Sequence, residues 1–291
     1  MLYANTRDMA GAKVFNARLH QFMPDDVEAA NAAVPTNPVE LGLADLWKRT
    51  AGTLSPRGRK LFRKAIQDMT DSWVWELNNQ LINRVPDPVD YVEMRRKTFG
   101  SDLTMSLSRL SKGDAVPEDV FNTRTLRGLE NSAADYACFV NDLFSYQKEI
   151  EFEGELNNCV LVVQKFLGVD KDEAVSVVNA LMTARMKQFQ HLVAKELPVV
   201  IRAFDLDAKA QEKLHQYVEQ LQQWMAGIPR WHAGVTRYTE DELRQTRRRS
   251  ARPGTAPAWA CPRPASPSCS APASPEFNRS PKPFESSTWR R

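Results

Sequence analysis

One stretch of nine residues, 141–149, limits what this chain can be more than any other. Asn141, Ser145 and Glu149 lie four residues apart, so on an α-helix they form one polar stripe. The preceding residues 137–140 are apolar, so the stripe begins inside a core helix, where unpaired polar groups are costly. An amide oxygen, a hydroxyl and a carboxylate are hard oxygen ligands, which suit Mg2+. The spacing therefore predicts a magnesium site on a buried helix.

Lys148 lies beside the last of these ligands and adds a positive charge. It stands where a diphosphate bound to the metal would lie. The same residues also fit a plainer interpretation, because Asn, Ser and Glu are common on helix surfaces and form polar faces by chance. The spacing alone leaves metal binding and a chance polar face open.

Apolar residues recur at helical spacing along most of the chain, and no alternating strand pattern appears. Pro38 and Pro56 mark two helix starts, because proline fits the first helical position. We expect a single helix over 124–153 that carries the polar stripe, and a loop over 111–122. The pattern predicts an all-α fold.

Composition fits a globular protein. Of the 291 residues, 42% are hydrophobic and 26% charged, enough for one large core or two smaller ones. The chain has no apolar run long enough to span a membrane and no leader typical of a signal peptide, so we expect neither. Its four cysteines show no metal-ligand spacing, which favours a reduced, cytoplasmic protein.

The net charge of +3 is concentrated at one end of the chain. From Arg244 onwards ten basic residues face only two acidic ones, so residues 1–243 carry −5 and have no electrostatic basis for binding nucleic acid. Nine of the eighteen prolines lie between Pro253 and Pro283. We therefore expect a folded domain over 1–243 and a disordered tail over 244–291, which resembles a GC-rich gene translated out of frame.

The stretch 141–149 reads Asn-Asp-Leu-x-Ser-x-x-x-Glu, which is similar to the second metal-binding motif of class I terpene synthases. Two more segments, Gly154-Glu155-Leu156 and Tyr91–Lys97, resemble the N-terminal, sesquiterpene-cyclising domain of bacterial germacradienol/geosmin synthases. The resemblance covers roughly residues 7–243.

That resemblance implies a fold and a reaction. The fold is an antiparallel α-helical bundle, incomplete at its N-terminus, with an apolar active site between helices. The reaction is Mg2+-dependent ionisation and cyclisation of farnesyl diphosphate, catalysed by a carbon–oxygen lyase with Asn141, Ser145 and Glu149 as metal ligands. A homodimer is compatible with the family.

The resemblance also assigns roles to basic residues. Arg95 occupies the position of the diphosphate sensor, with Arg96 as the fallback, since a forked guanidinium matches phosphate oxygens. By composition alone this arginine pair fits a solvated helix face. Arg237 and Tyr238 match the family's C-terminal Arg-Tyr pair, whose arginine reaches the diphosphate as the site closes. Without the family, a salt bridge at a helix end explains that pair equally well.

The four histidines, at positions 20, 191, 215 and 232, fall at no ligand spacing, and we expect all four to be structural. Asp25 and Asp26 do not form the family's aspartate-rich first metal motif, because the acid expected one turn later is missing. That motif would lie upstream of Arg7, so the chain resembles a form truncated at the N-terminus. Weak activity is expected of it.

Two positions near the metal motif also depart from the subfamily. Cys138 and Val140 replace polar residues that usually lead into it. Three interpretations follow: a sesquiterpene cyclase domain, a non-catalytic helical fragment, or a terpene synthase that uses another prenyl diphosphate, of the 2-methylisoborneol type.

Overall fold

The computed structural model describes residues 7–27, 34–112 and 115–250, with side chains up to residue 245. Every regular element in these ranges is a helix, which confirms the all-α prediction. The α-helices are α1 (Met9–Leu19), α2 (Pro38–Ala51), α3 (Pro56–Leu81), α4 (Pro88–Thr98), α5 (Ser101–Leu110), α6 (Glu118–Phe121), α7 (Arg124–Tyr146), α8 (Cys159–Leu167), α9 (Lys171–His191), α10 (Leu197–Ala203), α11 (Ala208–Gly234) and α12 (Glu240–Ser250). Short 3-10 helices span His20–Phe22 and Thr236–Tyr238, and π-helical segments span Gln147–Glu153 and Leu192–Glu196.

The starts of α2, α3 and α4 follow one local rule. Asn37, Ser55 and Asp87 each accept hydrogen bonds from backbone N–H groups of the first turn through their side chains. A proline follows each of them, where its missing N–H is no loss. The two starts predicted from proline are therefore confirmed.

Helix α7 lies at the centre of the main core. It packs against α4, α8, α9 and α11, and most of its side chains are buried. Ala133, Ala134 and Ala137 are fully buried, and their small size lets neighbouring helices approach closely. The polar residues of α7 are therefore enclosed by protein on several sides.

A second, smaller core joins the N-terminal helices to α3. Trp47 stacks on Phe62 with ring centroids 5.7 Å apart, and its indole N–H donates to the carbonyl of Pro24 at 2.9 Å. Met23, Ala51 and Ile66 complete this cluster. It anchors α2 and the end of α1 without contributing to the site on α7.

A left-handed glycine separates α4 from α5. Helix α4 ends at Thr98, and Gly100 has a φ of 81°, a left-handed conformation that favours glycine. A Cβ at this position would lie 3.0 Å from the sulfur of Met69. The chain then turns directly into α5.

Two predicted boundaries need correction. The helix expected over 124–153 is α-helical only to Tyr146 and continues as a π-helix over Gln147–Glu153. The loop expected over 111–122 contains the one-turn helix α6, whose Val120 and Phe121 are buried in the main core. Burial of those two side chains stabilises a turn that Pro117 precedes and that begins with two acidic residues, Glu118 and Asp119.

Asp25 and Asp26 follow the first 3-10 helix in a non-helical turn, and Asp25 lies 3.3 Å from Arg63 on the surface. The predicted domain boundary at 243/244 falls within α12, and residues 251–291 of the predicted tail lie outside the described residues. None of the helices in the described ranges is long and apolar enough to cross a membrane.

Candidate metal and diphosphate site

The three predicted metal ligands stand on one continuous helical segment. Asn141 and Ser145 belong to α7, and Glu149 belongs to the π-helix that follows it. Gly154 ends the π-helix in a left-handed conformation, with a φ of 70°. The unusual winding thus lies at one of the ligands, a common location for π-helical turns in functional sites.

The buried hydroxyl of Ser145 makes no hydrogen bond of good geometry among the described residues, and it acts on the carboxyl of Glu149, whose pKa it lowers. A buried hydroxyl without a well-formed hydrogen bond is costly, and most such groups in folded proteins have one. A cation bound beside α7 would give this oxygen and the neighbouring carboxyl a shared partner.

The ionised carboxyl group of Glu149 is also unfavourable, because its partners do not offset the cost of its burial. Burial raises its pKa from 4.5 to about 7, although the positive charge of Arg95 acts in the opposite direction. It accepts a hydrogen bond from Nδ2 of Asn158 at 3.1 Å, and the hydroxyl of Ser145 also acts to lower its pKa, but neither offsets the burial. A divalent cation would stabilise its ionised form.

The side-chain amide of Asn141 is held from both ends. Its Oδ1 accepts a hydrogen bond from Nη2 of Arg95 at 2.8 Å. Its Nδ2 faces Nε2 of His232 at 3.0 Å and the hydroxyl of Tyr238 at 3.4 Å. The structure therefore brings the predicted sensor, the first metal ligand and the predicted C-terminal tyrosine together.

Asp142, which the sequence analysis did not single out, is the main partner of Arg95. Its Oδ1 accepts from Nη2 at 2.8 Å and from Nε at 3.2 Å. Its Oδ2 accepts from the hydroxyl of Tyr91 at 2.5 Å and from the backbone N–H of Cys159 at 3.0 Å. A carboxylate directly after an apolar helical run was the signal available in the sequence.

Arg96 points to a different part of the molecule. Its guanidinium makes a two-pronged contact with Asp135, at 2.6 and 2.9 Å, and Arg185 lies 2.8 Å from the same carboxylate. This network joins α4, α7 and α9 and leaves Arg96 with no described contact to the three ligands. Of the two arginines, only Arg95 lies beside the triad.

The other predicted cations are less closely placed. Lys148 pairs with Glu153 at 2.5 Å within the π-helix, and no described contact joins it to the triad. Arg237 is exposed, with its guanidinium 5.9 Å from the ring centre of Tyr238. Tyr238 is half-buried and reaches Asn141 from the 3-10 turn after α11.

His232 is part of the site, contrary to the expectation that every histidine is structural. It is buried near the end of α11, and its ring stacks on Tyr238 at 5.4 Å with an interplanar angle of 12°. The ring centre of Phe144 lies 5.3 Å from that of His232. Burial lowers the pKa of His232, which favours the neutral ring. Its position five residues before the Arg-Tyr pair was the available signal.

These donors fit a hard cation. Asn141, Ser145 and Glu149 offer one amide, one hydroxyl and one carboxylate oxygen, and the described part of the chain contains no cluster of three or more His, Cys, Asp or Glu side chains suited to a metal. One carboxylate with neutral oxygens leaves charge and coordination positions for water and a substrate phosphate, as Mg2+ prefers.

Comparison with known proteins bears on this site. The sequence profile described as terpene synthase family 2, C-terminal metal binding, matches residues 1–188. Pentalenene synthase of Streptomyces avermitilis is 31% identical over 67% of this chain, which spans 59% of the length of that protein.

Two solved structures share the fold. Germacradien-4-ol synthase of Streptomyces citricolor aligns with a TM-score of 0.67 at 24% identity, over 79% of this chain and 71% of its own. Linalool/nerolidol synthase of Streptomyces clavuligerus, in complex with 2-fluorogeranyl diphosphate, aligns with a TM-score of 0.66 at 23% identity, over 77% and 74%. The helical fold and the matched profile, which includes the Asn141–Glu149 segment, show that the chain belongs to the terpene synthase family.

Proposed function

We propose that this chain is the metal-binding part of a sesquiterpene cyclase, which ionises and cyclises farnesyl diphosphate with Mg2+. The observation that carries the proposal is the buried hydroxyl of Ser145, which makes no hydrogen bond of good geometry and acts on the buried carboxyl of Glu149, whose pKa is raised to about 7. Both groups are costly in the metal-free protein and favourable beside a cation.

Bound Mg2+ would take up negative charge on the departing diphosphate. Asn141, Ser145 and Glu149 would hold the metal, and Arg95 would bind the diphosphate. The Nε and Nη2 groups of Arg95 are already occupied by Asn141 and Asp142. Its Nη1 makes no hydrogen bond of normal length to any described residue and lies 3.9 Å from Glu76, so we assign this nitrogen to a phosphate oxygen.

Arg237 and Tyr238 would complete the site from the end of α11. The hydroxyl of Tyr238 already contacts Asn141, which supports a position at the edge of the metal site. Arg237 is exposed and contacts Tyr238, and it would turn from that residue towards a bound diphosphate. Lys148 needs only to release Glu153 to add its charge. These roles are proposals drawn from the family resemblance.

The product type is a finer proposal. The match of Tyr91–Lys97 and of the segment 141–156 favours the germacradienol branch, in which water ends the reaction and gives an alcohol. Cys138 and Val140 are buried within α7, so their difference from the subfamily lies in the helix core. A terpene synthase of the 2-methylisoborneol type, acting on another prenyl diphosphate, is the alternative. A homodimer also stays a prediction.

The test combines binding and product analysis on the full chain. We expect inorganic diphosphate to bind only with Mg2+ present, and Glu149→Ala to abolish this binding. Incubation with farnesyl diphosphate and Mg2+, followed by analysis of volatiles, would then identify the product. Binding that is independent of Mg2+, or unchanged in Glu149→Ala, contradicts the proposal and leaves a non-catalytic helical protein.

A further inference from the structure

His232 makes two hydrogen bonds whose directions can be worked out. Its Nδ1 lies 2.8 Å from the carbonyl oxygen of Ile228, which can only accept. Nδ1 therefore carries the proton. In a neutral ring Nε2 then carries a lone pair and must accept from whatever donor it meets.

The group that Nε2 meets is the amide of Asn141, 3.0 Å away. Since Nε2 accepts, the contacting atom must be the amide nitrogen. The hydroxyl of Tyr238, 3.4 Å from the same nitrogen, can accept a hydrogen bond from the second N–H of the amide. The amide oxygen is thereby turned to the other side, towards Arg95.

The contact with Arg95 independently indicates the same orientation of the Asn141 amide. A guanidinium only donates hydrogen bonds, so the atom of Asn141 that lies 2.8 Å from Nη2 of Arg95 must be the oxygen. Turning the amide over would set two lone pairs against each other at His232 and two donors against each other at Arg95. Both ends of the amide therefore oppose the turned-over state.

We propose that His232 is a positioning residue, which fixes the amide of Asn141 so that its oxygen is presented for metal binding. The inference rests on the proposed function, because it assigns Asn141 as a metal ligand. A metal binds the amide oxygen and not its NH2 group, so a turned-over amide is no ligand. Because the orientation of the amide is already fixed, no free energy is lost in ordering this side chain when the metal and diphosphate bind.

Two variants of His232 and one control test the inference. His232→Phe keeps a ring that can stack on Tyr238 but removes the acceptor. His232→Gln can return an acceptor oxygen near the position of Nε2. His215→Phe is the matched control, because His215 makes the same Nδ1 contact, 2.8 Å to the carbonyl of Gln211, on an exposed part of α11.

Calorimetry with inorganic diphosphate and Mg2+ provides the binding readout. We expect His232→Phe to weaken binding roughly five- to tenfold, the loss of one hydrogen bond, with His232→Gln closer to the unchanged protein. His215→Phe should bind normally. Normal binding by His232→Phe contradicts the role of His232 and leaves the proposed function intact. If the unchanged protein shows no Mg2+-dependent binding, both the role of His232 and the proposed function are contradicted.

A second measurement needs no variant and no metal. In 15N NMR spectra of histidine-labelled protein, we expect His232 to be protonated at Nδ1 and not at Nε2. A ring protonated at Nε2 overturns the inference even if His232→Phe proves too unstable to purify.

Discussion

The carboxylate of Asp142 holds the guanidinium of Arg95 by two hydrogen bonds, to Nη2 at 2.8 Å and to Nε at 3.2 Å. Burial alone would lower the pKa of Arg95, but this carboxylate raises it overall. The pair keeps a fully charged arginine next to Asn141. The two hydrogen bonds also fix the orientation of the guanidinium, because they hold two of its three nitrogens. Its companion Asp135 does the same for Arg96, outside the candidate site.

We expect Asp142→Asn to lower the free energy of unfolding by about 3–5 kcal/mol and to abolish Mg2+-dependent diphosphate binding by the folded fraction, because Arg95 loses its partner. Asp135→Asn is the matched control. It breaks an equally buried arginine pair on the same helix, so it should destabilise similarly without changing diphosphate affinity. Urea unfolding and calorimetry measure the two effects, and equal loss of affinity in both variants would contradict the assignment.

We expect Arg95→Lys to weaken diphosphate binding by about 1–3 kcal/mol, although the charge is kept, because lysine cannot make the forked contacts. Arg96→Lys should affect stability but not affinity, since its guanidinium contacts Asp135. If Arg96→Lys loses affinity while Arg95→Lys keeps it, the sensor is Arg96.

Ser145→Ala should leave the metal-free protein about as stable as before, because it removes a buried hydroxyl that makes no hydrogen bond of good geometry. It should nevertheless weaken Mg2+-dependent diphosphate binding. Ser132→Ala, on the same helix, removes a hydroxyl that donates to the carbonyl of Gly128 at 2.7 Å, so it should destabilise the protein and leave binding intact. Thermal unfolding with a chelator present separates the two cases.

Glu149→Gln should stabilise the metal-free protein at alkaline pH. The folded pKa is raised from 4.5 to about 7, so the unfolded chain releases its proton first and stability falls as pH rises through that window. At pH 8 we expect the variant to be more stable by on the order of 1–3 kcal/mol, and at pH 4.5 to be equal to the unchanged protein. Urea unfolding across this range is the measurement. Glu153→Gln, which changes an exposed carboxyl in the same π-helix, is the control.

The helices could be predicted from the sequence, because apolar spacing and capping residues are local properties. The common face of Asn141, Ser145 and Glu149 could be predicted too, because it depends only on their four-residue spacing. The sequence could also place Arg95 by resemblance. It could not show that Arg95 and Arg96 face different carboxylates, because that depends on which side of α4 meets α7. His232 was missed for the same reason: its partner Asn141 is 91 residues away in sequence, and only packing brings them together.

The π-helix that follows Tyr146 sets the rotational phase of the third ligand. Each four-residue step of an α-helix overshoots a full turn by about 40°, so over two such steps Glu149 would be rotated by about 80° from Asn141. A π-helix closes its hydrogen bonds over five residues and turns less per residue, which reduces this rotation. The number of residues between Ser145 and Glu149 is therefore constrained. One residue more or less there would turn the carboxylate away from Asn141 and Ser145 while every side chain named above stayed the same.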